Sequence, residues 1–320
     1  MCRLFGFRSN VPSRAHRSLV EAENALAQQA AGHADGWGIG YFLGDEAYTV
    51  RVVAGAAADD GFRRVTTRLR SHTMLVHVRR ATVGGNDTLN THPFRHGCWI
   101  FAHNGTVWDW ERLRPWMLAR TEPAFRELVF GTTDSEHLFY YLLSALTRAG
   151  LPECGRGAVD GRAAALVVRD AVGAIFAAAA ADGQAPPLLN FILTNGQVLL
   201  AQRAGQQLFL ASQKRLCRDA ATCPEPRKVC LDVHPPLDVL RGRPLPAGAW
   251  RPVNHLLVAS EPIGDEDLWE EIPEGVLVAL DAQMRLHLLP PAEGFVACPS
   301  PPAPPPRPAP APAVGRARGA

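Results

Sequence analysis

Lysine is almost missing from this 320-residue chain: Lys214 and Lys228 stand alone among 33 basic residues. The rest are arginines, which with abundant Ala, Gly and Pro reads as a bias of composition rather than an arginine-reading function. A strong excess of either charge is also lacking. With 31 acidic residues the formal net charge is +2, so neither nucleic acid nor an anionic membrane surface is expected as a partner. Long apolar runs are absent too. The most apolar stretch, AAALVVRDAVGAIFAAAAA, is broken by Arg169 and Asp170 and rests on alanine, which argues against a membrane span. The opening MCRLFGFRSN has no run long enough for a signal-peptide core, so export and lipidation of Cys2 are not expected. Seven cysteines, an odd number at irregular spacing, then predict reduced thiols and a cytoplasmic setting. Cys217, Cys223, Cys230 and His234 lie close in sequence but lack the CxxC knuckle that pre-forms half of a zinc site. They are read as thiols around a variable loop, and no metal or organic cofactor is expected.

What is present is ordinary for a globular protein: 47% hydrophobic and 20% charged residues. Residues 2–290 are expected to form the folded domain. The Pro/Ala-rich segment 291–320 is expected to be a disordered tail, because such composition buries too little apolar surface to offset the entropy of ordering. CRLFGF, GWGIGYF, YTVRVVAG, MLVHVRRA and WIFAHNG read as strands, and LNFILTNG, VLLAQRAG, QLFLASQ, HLLVASEP, GVLVALD and RLHLLP as a second set. Helices are expected at 14–31, 59–70 and 160–181. TTDSEHLFYYLLSALTRAG carries the clearest helical signal, with Thr133 and Glu136 as a capping box and Gly150 as the stop. The uneven order does not read as repeated βαβ units. It predicts an α+β fold of two mostly antiparallel sheets packed face to face under helical layers.

Five segments carry residue types suited to chemistry. Once Met1 is removed, Cys2 bears both a thiol and a free α-amine, the nucleophile and proton relay that one residue can supply alone; the alternative is a small hydrophobe opening a strand. In HVRRATVGG, Arg79 at a strand end beside a glycine loop containing Thr82 suits a bidentate grip on a carboxylate, or is a surface arginine. In WIFAHNGTV, the Asn104 amide and the Gly105 N–H suit an oxyanion hole, against the plain reading of Asn-Gly as a hairpin turn. In TTDSE, Asp134 at the first helical position is held ionised by the helix dipole and suits an ammonium, or merely decorates a helix end. Asp35 and the glycines of HADGWGIGYF are read as shaping a pocket floor.

Cys2 with RLFGF, then HADGWGIGYF, HVRRATVGG, NTHPF, AHNGTV and TDSEHLFYYLL in that order, resemble the glutaminase domain of the class II glutamine amidotransferases. The resemblance is densest over residues 2–150, reaches weakly into 257–281, and is nearest to small stand-alone, YafJ-like members and the γ-glutamyl amide hydrolase of ergothioneine synthesis. It implies an N-terminal-nucleophile hydrolase with a four-layer α/β/β/α sandwich. It further implies Cys2 as nucleophile, Asn104 and Gly105 as oxyanion hole, Arg79 on the substrate α-carboxylate with Thr82 near it, and Asp134 on the α-ammonium. The substrate expected is glutamine or another γ-glutamyl amide. A separate synthase chain receiving ammonia and a silent glutamine-sensing protein are the alternatives. The chain departs from the family at Arg80 and Val83, where many members have Trp and His.

Overall fold

The computed structural model describes residues 2–14, 17–22, 25–29, 35–79, 87–151, 159–181, 183–217, 221, 223–225, 229–231 and 250–298. In chain order the first half runs β1 (Arg3–Ser13), a π-helical turn (Arg17–Glu21), α1 (Leu26–Gln29), β2 (Gly36–Leu43), β3 (Glu46–Val52), α2 (Asp60–Arg68), β4 (Ser71–Arg79), β5 (Phe94–His96) and β6 (Trp99–Thr106). The helices α3 (Trp110–Ala119), α4 (Pro123–Arg126), α5 (Asp134–Arg148) and α6 (Gly161–Ala181) follow. The second half adds β7 (Leu188–Thr194), β8 (Leu199–Gln202), β9 (Phe209–Lys214), β10 (Arg251–Pro252), β11 (His255–Ala259), β12 (Asp267–Glu271), β13 (Leu277–Leu280) and β14 (Arg285–Leu289).

These strands form two seven-stranded sheets, ordered β12-β9-β11-β1-β4-β2-β3 and β10-β14-β13-β8-β7-β6-β5. Every pairing is antiparallel. Period-two alternation divides the apolar residues into layers. Leu4, Leu75, Ile100, Ala102, Ile192 and Leu210 fill the space between the sheets. Phe5, Trp37, Ile39, Met74 and Val76 face the α1 and α2 side, where Leu26 and Phe62 meet them. Phe101, Phe191 and Leu193 face α5 and α6, where Phe139, Val168 and Phe176 meet them. The result is the expected four-layer α/β/β/α sandwich.

The glycines of the first sheet set how closely the sheets approach. A Cβ on Gly6 would stand 2.8 Å from Ile192 Cδ1, one on Gly40 2.6 Å from Ile100 Cγ2, and one on Gly38 would overlap the His92 carbonyl oxygen. Alternate glycines along β2 therefore let the segment leading into β5 lie directly on that strand. This is the physical content of GWGIG in the sequence.

Several expectations are corrected. Only the turn at 17–21 and α1 are helical in the described part of 14–31. The strands β5, β10 and β12 and the helix α3 were not anticipated; α3 starts from Asp109 in a left-handed conformation (φ 46°) with no side-chain cap and contains Pro115, so it carries no N-terminal signature. The capping box is half formed: Thr133 accepts from the Glu136 N–H at 3.4 Å, but the Glu136 carboxylate reaches Gly131 N at 2.6 Å instead of the cap residue. The packed domain also extends beyond residue 290. Phe295 lies 4.7 Å from the Phe176 ring and Cys298 is buried, because Gly173 leaves a groove in α6 that Ala292 and Glu293 enter. The remainder of the expected tail, from 299 onward, lies outside the described residues, as does His234. α6 is long and apolar enough by length and composition to cross a membrane, but its apolar face packs into the α5 layer of this core. Against the expectation of reduced thiols throughout, Cys98 is disulfide-bonded, whereas Cys2, Cys217, Cys223, Cys230 and Cys298 form no disulfide.

Gly38→Ala should lower the unfolding free energy by about 3 kcal/mol, since the added methyl meets backbone rather than a movable side chain. Gly44→Ala, in a turn with open space around it (φ 60°), should cost only about 1 kcal/mol. Urea denaturation of both variants compares them; equal losses would mean that the sheets can part at no cost.

Candidate active site

Cys2 stands immediately before β1, half-buried at one end of the sandwich. β1 belongs to one sheet and β6 to the other, and the Asn104 amide crosses between them, donating from Nδ2 to the Cys2 carbonyl oxygen at 3.1 Å. An amide nitrogen carries two N–H groups, so this tie leaves a second donor beside Cys2. Asn104 and Gly105 do not form a hairpin turn. They lie inside β6, paired with Asn190 and Leu189 of β7. Gly105 is required there by close approach, since a Cβ would overlap the Leu188 carbonyl.

Arg79 ends β4 opposite Gly36 and is 3% exposed. It shares the inter-sheet face of β4 with His77, two residues earlier. The His77 ring lies 4.4 Å from that of His92 in a tilted contact, and the His92 ring then meets Phe94 edge-on at 4.6 Å. Burial pushes His92 well below the ordinary histidine range, and the charges of His77, His103, Arg79 and Arg51 push it the same way. The buried His92 ring is thus neutral at physiological pH.

Asp134 is the first residue of α5 and 3% exposed. Its Oδ2 accepts from Val107 N at 2.7 Å, tying the helix N-terminus to the segment just past Gly105. Its Oδ1 lies 3.1 Å from Ser135 Oγ, which is also 2.9 Å from His103 Nδ1. His103 is held below its ordinary pKa by burial, with Asp134 partly opposing. In the neutral ring Nε2–H donates to the Leu188 carbonyl at 2.9 Å, which makes Nδ1 an acceptor. One Ser135 hydroxyl proton then serves two acceptors, and Asp134 Oδ1 keeps capacity for a further donor.

Cys2, Asn104 and Gly105 therefore gather at one point, with Asp134 joined to the same strand end through Val107 and Arg79 at the matching end of the facing sheet. Thr82 lies outside the described residues. Sequence reasoning passed over His92, His103, Ser135 and Asn190. The first three lie in NTHPF, AHNG and TDSE and Asn190 in the strand LNFILTNG; in AHNG and TDSE the neighbouring Asn104 and Asp134 drew the argument. Among the described residues no group of three or more His, Cys, Asp or Glu side chains is arranged to hold a metal ion.

The sequence profile of the family described as "Glutamine amidotransferases class-II" matches residues 1–220. YafJ of Escherichia coli, a putative glutamine amidotransferase, is 30% identical over 161 residues, covering 46% of this chain and 56% of that protein. The probable glutamine amidotransferase DUG3 of Saccharomyces cerevisiae is 24% identical over 226 residues, 63% of each chain. The γ-glutamyl-hercynylcysteine sulfoxide hydrolase of Mycobacterium tuberculosis is 45% identical over 76 residues, 23% of this chain and 33% of that protein. The chain thus spans between a third and just under two thirds of the length of these relatives. Among solved structures, the glutamine aminotransferase class-II domain protein from Silicibacter pomeroyi superposes with a TM-score of 0.55 at 19% identity, covering 91% of this chain and 100% of that one. The glutamine phosphoribosylpyrophosphate amidotransferase from B. subtilis gives 0.52 at 12% identity, covering 90% and 49%. At those identities the likeness is one of fold, the N-terminal-nucleophile sandwich.

The lowered pKa values of His92 and His103 mean that the unfolded chain binds more protons than the folded one below the ordinary histidine pKa. Stability should accordingly fall as pH drops below about 6.5. Urea denaturation at pH 7.5 and 5.5 measures the slope, and His92→Gln, uncharged at both, should flatten it. An unaltered slope in that variant would mean that His92 is charged in the fold.

Proposed function

The chain belongs to the class II glutamine amidotransferases, and from that premise we propose that it hydrolyses a γ-glutamyl amide through a thioester on Cys2. The observation that carries this reading is the Asn104 amide bonded to the carbonyl of Cys2 at 3.1 Å. It places a donor of the second sheet beside the only thiol whose residue also bears an α-amine once Met1 is removed.

In the proposed reaction the α-amine takes the thiol proton and Cys2 Sγ attacks the γ-carbonyl carbon. The oxyanion that develops accepts from the free N–H of Asn104 and from the Gly105 N–H. The C–N bond breaks as the α-ammonium passes its proton to the leaving nitrogen, giving an amine, or ammonia when glutamine is the substrate. Water then adds to the thioester, its proton taken by the amine, and glutamate leaves as the thiol is restored. At the amino-acid end, Arg79 holds the α-carboxylate with Thr82 beside it, and Asp134 holds the α-ammonium. The shared Ser135 proton supports the last role, because an ammonium supplies the donor that Oδ1 lacks. The substrate class is glutamine or a γ-glutamyl conjugate, the latter supported by the substrate named for the mycobacterial relative.

Active protein should begin at Cys2 by intact mass. Asn104→Ala should lower kcat by about 100- to 1000-fold with little change in KM, because it meets charge present only in the transition state. Arg79→Ala and Asp134→Asn should mainly raise KM. Steady-state kinetics on glutamine and on γ-glutamyl amides decide the matter. Full turnover by Asn104→Ala, or an active preparation that retains Met1, would overturn the mechanism; ammonia release only in the presence of a second chain would favour a subunit that feeds a synthase.

A further inference from the structure

A cavity of about 190 Å³ lies at the rim of the second sheet, lined by Trp108, Pro186, Leu188, Gly205, Gln206 and Cys298. Its walls are tied to the residues of the candidate site. Leu188 presents its carbonyl to Gly105 and to His103 Nε2. Gln206 is held by Asn190, the cross-strand partner of Asn104: Asn190 Nδ2 donates to the Gln206 carbonyl at 2.8 Å, and its Oδ1 accepts from Gln206 N at 3.2 Å. Trp108 follows Val107, whose N–H is fixed on Asp134. Two residues of strand separate the Asn104–Asn190 pair from the Thr106–Leu188 pair, a rise of about 7 Å.

The cavity is a built feature rather than a packing gap. Gly205 N donates to Glu274 Oε1 at 2.7 Å, Arg203 Nε donates to the Gln206 carbonyl at 3.1 Å, and Cys298 Sγ donates to the Pro187 carbonyl at 3.4 Å. Gly205 has φ 103°, and a Cβ there would overlap Leu188. Burial and the Glu274 carboxylate push the Cys298 thiol up to about 12, so it lines the cavity as an uncharged, unreactive group. Its rim carries the half-exposed indole of Trp108.

We infer that this cavity is the leaving-group subsite, and that it receives a single aromatic or branched apolar substituent on the nitrogen of a γ-glutamyl amide. The inference rests on the γ-glutamyl hydrolase reading above and narrows its substrate class. The bare amide of glutamine leaves the cavity empty, whereas a ring carried on a one-carbon linker covers most of the rise of about 7 Å made by two strand residues and meets Trp108, Pro186 and Leu188. The volume admits one ring and its linker, and hydrophobic selection in such a pocket is worth about 10- to 200-fold.

The test uses the full chain and three probes: glutamine, γ-glutamyl methylamide and γ-glutamyl benzylamide. The benzylamide should exceed the methylamide in kcat/KM by at least about tenfold. Trp108→Ala, and separately Ala185→Trp at a further residue lining the cavity, should each erase most of that ratio. Binding to Cys2→Ala, followed by calorimetry, should show the same order without turnover. Equal handling of benzylamide and methylamide, or a preference that survives both substitutions, overturns the subsite. A protein that turns over none of the probes, yet binds the benzylamide more tightly in a Trp108-dependent way, keeps the subsite and removes the hydrolase reading.

Discussion

Everything at the candidate site depends on how closely two sheets can be brought together. A side-chain amide is short, and for Asn104 to reach the carbonyl of Cys2 the facing strands must approach more closely than ordinary side chains allow. Gly6, Gly38 and Gly40 remove the obstacle along one sheet, while Gly105 removes another where β6 meets Leu188. The large apolar residues are displaced to the outer faces, where Trp37, Phe62, Phe101 and Phe139 pack under the helices. The geometry of the candidate site and the core packing thus both follow from which positions carry a side chain.

Electrostatics follows the same plan. The interior beside Arg79 holds His77 and His92 in ring contact, and a charge on either would compete with the guanidinium for any carboxylate. Burial keeps His92 neutral. On the far side of β6 a neutral His103 takes part of the Ser135 proton, which leaves Asp134 short of a donor. Arg79 and Asp134 are kept apart by the sheet that also carries Asn104 and Gly105.

Much of this was legible in the sequence, for identifiable reasons. Strong alternation with β-branched and aromatic residues marked most strands, and Thr133 with the helical spacing of Leu138, Tyr141 and Leu142 marked α5. Short edge strands carry too few residues for a period to show: β5 has three and β10 two. The helix α3 lacks a cap, and Ala292, Glu293 and Phe295 order themselves through a tertiary groove that composition cannot reveal. At the site, residue type and local position were enough to single out Cys2, Asn104, Gly105, Arg79 and Asp134 as candidates. The partners that orient them were not, because His103, Ser135 and Asn190 act through contacts across 14 to 85 residues of chain.

The edges of the two sheets bear on how the protein behaves in crowded solution. Unpaired strand edges are templates for another chain, and three of the four here are blunted: β10 is short and contains Pro252, β5 is short, and β12 carries Asp267, Glu270 and Glu271. The fourth, β3, runs seven residues and exposes Tyr48. Self-association by strand addition, the first step toward an amyloid-like aggregate, would therefore nucleate at β3, three strands along the sheet from β1, the central strand that follows Cys2.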